Sequence, residues 1–150
     1  MILAADLGAV KLAGNYSQIL HRPIVVVHKI RINSEEVQVR GIVTEVRGRS
    51  AILIDDMITT GGTIEAAVKA FIAEDGSWDI VVVASHGLLI GTAGERLCGL
   101  PIKRIFVTDS VEVANNLSLP IEIVSLAPLL ADAISRLHKN QSMNDLIAHR

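Results

Sequence analysis

Ala51-Ile52-Leu53-Ile54-Asp55-Asp56-Met57-Ile58-Thr59-Thr60-Gly61-Gly62-Thr63 joins a short apolar strand, two adjacent carboxylates and a Thr/Gly loop that opens a helix. A loop of this kind aims backbone N–H groups and the positive end of a helix dipole at one spot, which suits a phosphate. Carboxylates beside it suit vicinal hydroxyls. The combined expectation is a sugar-phosphate site at the carboxyl end of a parallel strand, where open α/β sheets hold their ligands. A plain strand-to-helix turn needs one glycine and one capping residue, a role Thr63 would fill. It does not need two neighbouring carboxylates, whose repulsion costs stability unless a cation or polyol offsets it.

Outward from this stretch, short runs rich in β-branched residues alternate with helical patterns. Strands are expected at Pro23 to Val27, Ala51 to Ile54, Ile80 to Ala84, Arg104 to Val107 and Glu122 to Ser125. Helices are expected at Gly8 to Leu20, Thr63 to Glu74 (stopped by Gly76), Thr92 to Leu100 and Pro128 to Lys139. The last carries Leu129, Leu130, Ala133, Ile134 and Leu137 on one face, and Cys98 falls on an apolar face that reads as core. Residues 28–50 break the rhythm: Val37, Val39 and Ile42 alternate around Gly41, so a hairpin-like excursion with a mobile tip is expected. The tail after Asn140 is polar and reads as frayed. The fold class is α/β: a mostly parallel five-stranded sheet, helices on both faces and a flexible hairpin over the carboxyl edge.

One hundred and fifty residues, half of them hydrophobic, suit one domain with a sizeable core. A formal charge of -2 gives no polycationic field, so nucleic acid is not expected as a partner. Cys98 stands alone, which removes internal disulfides and multi-cysteine zinc sites and fits a reducing, cytoplasmic setting. No apolar run is long enough to span a membrane, and no leader pattern opens the chain. Aliphatic excess and a positive mean hydropathy point to apolar surface buried in a homo-oligomer.

The 51–63 run resembles the phosphoribosyl diphosphate signature of type I phosphoribosyltransferases and, more closely, the ribose-phosphate loop of the ribose-phosphate diphosphokinase (phosphoribosyl pyrophosphate synthetase) family. Asp6-Leu7-Gly8-Ala9-Val10 resembles that family's Asp-x-Gly-Gly-Val segment, Lys29-Ile30-Arg31 its Lys-Arg-Arg loop, and Ser125 to Ala131 with Ala133-Ile134 its closing helix. An ordinary phosphoribosyltransferase shares the loop but not the other three segments. The resemblance covers the whole chain and implies a phosphoribosyltransferase-like domain that matches the C-terminal half of a two-domain diphosphokinase and begins where that second domain begins.

The resemblance implies transfer of diphosphate from ATP to ribose 5-phosphate, giving phosphoribosyl diphosphate and AMP. Asp55 and Asp56 would hold ribose hydroxyls, while Thr60, Gly61, Gly62 and Thr63 wrap the 5-phosphate. Asp6, on its own a turn or cap residue, would help hold Mg²⁺ on the nucleotide phosphates. Lys29 and Arg31, on their own a solvated edge, would be catalytic and neutralise charge on the transferred group. Thr59 departs from the pattern, standing where many members have aspartate, and is kept as a phosphate contact. Little turnover is expected of the isolated chain. Two other readings share these residues: a phosphoribosyltransferase using phosphoribosyl diphosphate and a base, and a non-catalytic regulatory subunit of the synthetase. Ser85-His86 and Asp109 lie in loops after strands, but without a nucleophile-elbow setting they do not read as a hydrolase triad.

Overall fold

A computed structural model describes residues 1–31, 37–42, 45–113 and 118–147; for 28–31, 37–42 and 147 it describes the backbone alone. Among the described residues the chain forms a seven-stranded sheet in the order β3-β2-β1-β4-β5-β6-β7. The strands are β1 (Ile2–Ala4), β2 (Ile24–Arg31), β3 (Val37–Ile42), β4 (Ala51–Ile58), β5 (Ile80–Gly87), β6 (Ile102–Thr108) and β7 (Ile121–Val124). Every neighbouring pair is parallel except β2 with β3, which run antiparallel as the expected hairpin. The hairpin's tip, 32–36, lies outside the described residues.

The α/β class and the mostly parallel sheet stand, with seven strands in place of five. The additional parallel strand is β1. It has only three residues, too few to show a period, yet all three are fully buried between β2 and β4. The additional antiparallel strand is β3, the second arm of the excursion.

The helices are α1 (Val10–Leu20), α2 (Gly62–Ala73), α3 (Ala93–Cys98), α4 (Ala127–His138) and α5 (Asn144–Ile147). On one face α1 packs Ala9 and Ala13 against Ile2, Ala4 and Ile54. On the other, α2 and α3 bury Ile64, Phe71 and Leu97 against Leu3, Leu53, Val82 and Ile105. In six-residue α3 the buried pair is Ala93 and Leu97, four apart, so Cys98 turns outward and is exposed rather than core. The polar tail after Asn140 forms the short α5.

Three helices end in the same way. The N–H of the left-handed residue and that of the next residue bond back to carbonyls three and five positions earlier. The left-handed residues are His21, Asp75 and Asn140, with φ of 49°, 61° and 52°. Gly76 is therefore not the left-handed stop of α2. It is needed for room, since a Cβ there would lie 2.4 Å from the Phe71 ring.

Candidate functional site

Parallel pairing brings the carboxyl ends of β1, β2, β4, β5 and β6 to one rim. β4 runs four residues beyond the expected end, so Asp55 and Asp56 lie within the ladder and Asp55 pairs with Ala84. The loop then turns into α2 through Gly61, at φ 75°, ψ -1° in the helix-capping position. Capping falls to Gly61 rather than Thr63, and no side chain caps α2. The end of the helix that attracts anions thus starts at a residue that has no side chain.

Two recesses meet at Asp55. The smaller, about 50 Å³, is lined by Asp55 and residues 57 to 64 and so holds Thr59, Thr60, Gly61, Gly62 and Thr63 together. The larger, about 310 Å³, is lined by Asp6, Gly8, Ala9, Leu12, Asp55 and Asp56. Asp55 reaches both, whereas Asp56 reaches only the acid recess. Adjacent residues on a strand point to opposite faces, so the two carboxylates are not equivalent. Asp6 lines the acid recess, and its Oδ1 accepts the Ala9 N–H at 3.1 Å, the turn role read for it.

Burial pushes the Asp55 carboxyl up to about 6, and the negative charges of Asp56 and Asp6 add to the rise. The Asp56 N–H, donating to Asp55 Oδ1 at 2.9 Å, opposes it in part. The recess gathers three carboxylates, and among the described residues no cation lines it. That suits a cation or hydroxyl donors. Among the described residues no cluster of three or more His, Cys, Asp or Glu is arranged to hold a metal alone.

Packing behind the loop reveals residues that sequence reading missed. A Cβ on Gly61 would lie 3.1 Å from Leu97 Cγ, and one on Gly62 would lie 2.7 Å from Arg96 Nη1. Arg96 in turn sits 3.9 Å from Glu65 of α2. Carbonyls of Ile58 and Thr59 accept the N–H groups of Leu89 and Ile90, each at 3.0 Å. The β5–α3 segment thus backs the loop, and its distance along the chain from Gly61 gave no local sign of it.

Lys29 and Arg31 lie at the carboxyl end of β2, paired with Val39 and Val37, after a register irregularity between His28 and Lys29. Their side chains lie outside the described residues. Ser85, His86 and Asp109 form no triad: His86 Nδ1 meets Ser110 Oγ at 2.7 Å. Asp109 instead accepts the Ser125 hydroxyl at 2.5 Å and the Leu126 N–H at 2.7 Å. Those two bonds hold its carboxyl below the usual range. No helix among the described residues is long and apolar enough to cross a membrane.

Comparison with known proteins agrees with this geometry. A family model described as phosphoribosyl synthetase-associated domain matches residues 33–148. A ribose-phosphate pyrophosphokinase from Rhodopirellula baltica is 38% identical over 152 residues, covering 100% of this chain and 48% of that one. The crystal structure of a phosphoribosylpyrophosphate synthetase from Mycobacterium smegmatis superposes with a TM-score of 0.79 at 31% identity, over 93% of this chain and 45% of that one. An adenine phosphoribosyl transferase from Trypanosoma brucei, at TM-score 0.55 and 23% identity over 87% of this chain and 67% of that one, shares the fold. The chain spans a little under half the length of the pyrophosphokinase relatives it matches. Match and geometry together place the chain in the phosphoribosyl synthetase-associated domain family.

Proposed function

We propose that this chain is the ribose 5-phosphate-binding domain of a ribose-phosphate diphosphokinase. In that reaction the 1-hydroxyl of ribose 5-phosphate attacks the β-phosphorus of ATP, the bond to the α-phosphate oxygen breaks, and phosphoribosyl diphosphate, AMP and a proton leave. The observation that carries the reading is that Asp55 lines both the loop recess and the acid recess. A single pentose phosphate spans such a junction, with its phosphate in the Thr59–Thr63 loop and its hydroxyls on Asp55 and Asp56.

Attack at phosphorus needs positioning and charge neutralisation rather than a covalent nucleophile. Asp55 and Asp56 fix the sugar, and the loop fixes its phosphate. Lys29 and Arg31, on the strand beside β1, meet the charge that grows on the transferred group. Mg²⁺ suits the acid recess: a carboxylate with raised proton affinity, flanked by two more, lowers its energy beside a cation. Asp6 would hold it there, as a hard cation of this kind takes oxygen ligands. Bound there, it neutralises phosphate charge as a Lewis acid.

The proposed partners are ribose 5-phosphate, ATP, phosphoribosyl diphosphate and further copies of the chain, in the cytoplasm. The chain alone binds ribose 5-phosphate with little turnover, in keeping with its span of under half the relatives' length. AMP production from ATP and ribose 5-phosphate tests this. It should be absent or slow with the purified chain and rise when the remainder of a full-length relative is added. Diphosphate release that requires a free base and no ATP would instead establish a phosphoribosyltransferase.

A further inference from the structure

The two glycines of the loop are glycine for different reasons. Gly61 holds the left-handed conformation that opens α2. Gly62 is the first residue of that helix and is not among the glycines of positive φ. Glycine is a poor helix former, and the backbone at 62 gives no reason to accept one. Its surroundings do. A Cβ there would lie 2.7 Å from Arg96 Nη1 and 4.0 Å from Arg96 Cζ, so the missing side chain leaves a notch that the guanidinium fills.

Helix α3 holds Arg96 in that notch. Ala93 and Leu97 are its buried pair, and Leu97 packs against Gly61. The residue beside Leu97 therefore comes to lie against the residue beside Gly61. The Arg96 N–H donates to the Thr92 carbonyl at 3.0 Å, which keeps its backbone within the helix. Its charge is only lightly countered: Nε stands 3.9 Å from Glu65 Oε2, while Glu65 Oε1 bonds Lys69 Nζ at 2.7 Å. One carboxylate thus faces two cations, and an exposed pair as long as the Arg96 one neutralises little.

Gly62 lines the loop recess, whereas Arg96 does not. We infer that Arg96 is a positioning residue for the phosphate: from behind Gly62 it adds a standing positive charge to the amino-terminal turn of α2 and strengthens the grip on a phosphate dianion without touching it. The helix end and the guanidinium attract the same sign of charge, so their effects add. Arginine keeps its charge throughout the working pH range. Neither Arg96 nor Gly62 borders the acid recess, where the hydroxyls are placed. Arg96 therefore favours the phosphate end of the ligand and leaves the sugar end unaffected. The inference rests on the ribose 5-phosphate reading for where the phosphate lies.

Titration of the full chain with ribose 5-phosphate, inorganic phosphate and ribose tests it. Arg96→Gln, which removes the charge, should weaken ribose 5-phosphate and inorganic phosphate alike by about fivefold, leave ribose unchanged and flatten the salt dependence of phosphate binding. Arg96→Lys, which keeps the charge, should bind phosphate within about twofold of wild type. Gly62→Ala expels the guanidinium from the notch, so its effect and that of Arg96→Gln should not add in the double variant. Far-UV circular dichroism of each variant should match wild type. Phosphate binding by Arg96→Gln equal to wild type overturns the inference while leaving the ribose 5-phosphate reading in place. A loss in Arg96→Lys as large as in Arg96→Gln would make the role one of shape, and additive losses in the double variant would detach Arg96 from the notch; either overturns it. A wild-type chain that binds neither ribose 5-phosphate nor phosphate removes both readings together.

Discussion

Asp55→Asn should make the protein more stable while weakening its ligand binding. The folded state holds the Asp55 proton up to about pH 6, against an ordinary value of 3.8, because burial and the Asp56 and Asp6 charges penalise the carboxylate. At 1.36 kcal/mol per pH unit the difference is worth about 3 kcal/mol. Asp55 is half-exposed, and solvent screening reduces this to about 1–2 kcal/mol. Because the folded protein binds this proton more tightly than the unfolded chain, stability falls as pH rises from about 4 to about 6 and is flat above that. Asparagine keeps an oxygen to accept the Asp56 N–H but carries no charge. Urea unfolding should therefore show the variant about 1–2 kcal/mol more stable at pH 8, a rise in Tm of about 2–6 °C. At pH 4 the two should agree to within about 0.5 kcal/mol. Equal or lower stability of the variant at pH 8 would refute the idea that the site carries uncompensated charge.

Other perturbations separate the parts of the site. Gly61→Ala forces a side chain into a left-handed conformation 3.1 Å from Leu97, which should cost about 1–2 kcal/mol in denaturant unfolding; phosphate binding by the loop should weaken with it. Gly76→Ala, far from the ligand, sets a Cβ 2.4 Å from the Phe71 ring and should cost about 2–3 kcal/mol with no change in ribose 5-phosphate affinity per folded molecule. Lys29→Ala with Arg31→Ala should leave ribose 5-phosphate binding within about twofold and lower reconstituted turnover by about 100-fold or more, read as a fall in kcat.

The strands were legible where β-branched residues run together, as in Ile80 to Ala84. Their ends were not, because ladder hydrogen bonds continue through Asp55, Asp56, Ser85 and His86 whatever those side chains are. β1 was invisible because its evidence is burial on both sides, a property of its neighbours rather than of three residues. Cys98 was misplaced because a six-residue helix has too few turns to define a face, and packing gave the position to Leu97. In the site, the loop and acid pair could be read from local chemistry. The backing of the loop by Arg96 and Leu97, and the junction of two recesses at Asp55, exist only once distant segments pack.

Calorimetric titration with ribose 5-phosphate tests the central claim most directly. Wild-type protein should bind one molecule per chain, with Asp55→Asn and Gly61→Ala each weakening it by about tenfold or more and ribose or inorganic phosphate binding more weakly than the joined molecule. No binding by the wild-type chain, or unchanged affinity in Asp55→Asn, would contradict a single pentose phosphate spanning the two recesses.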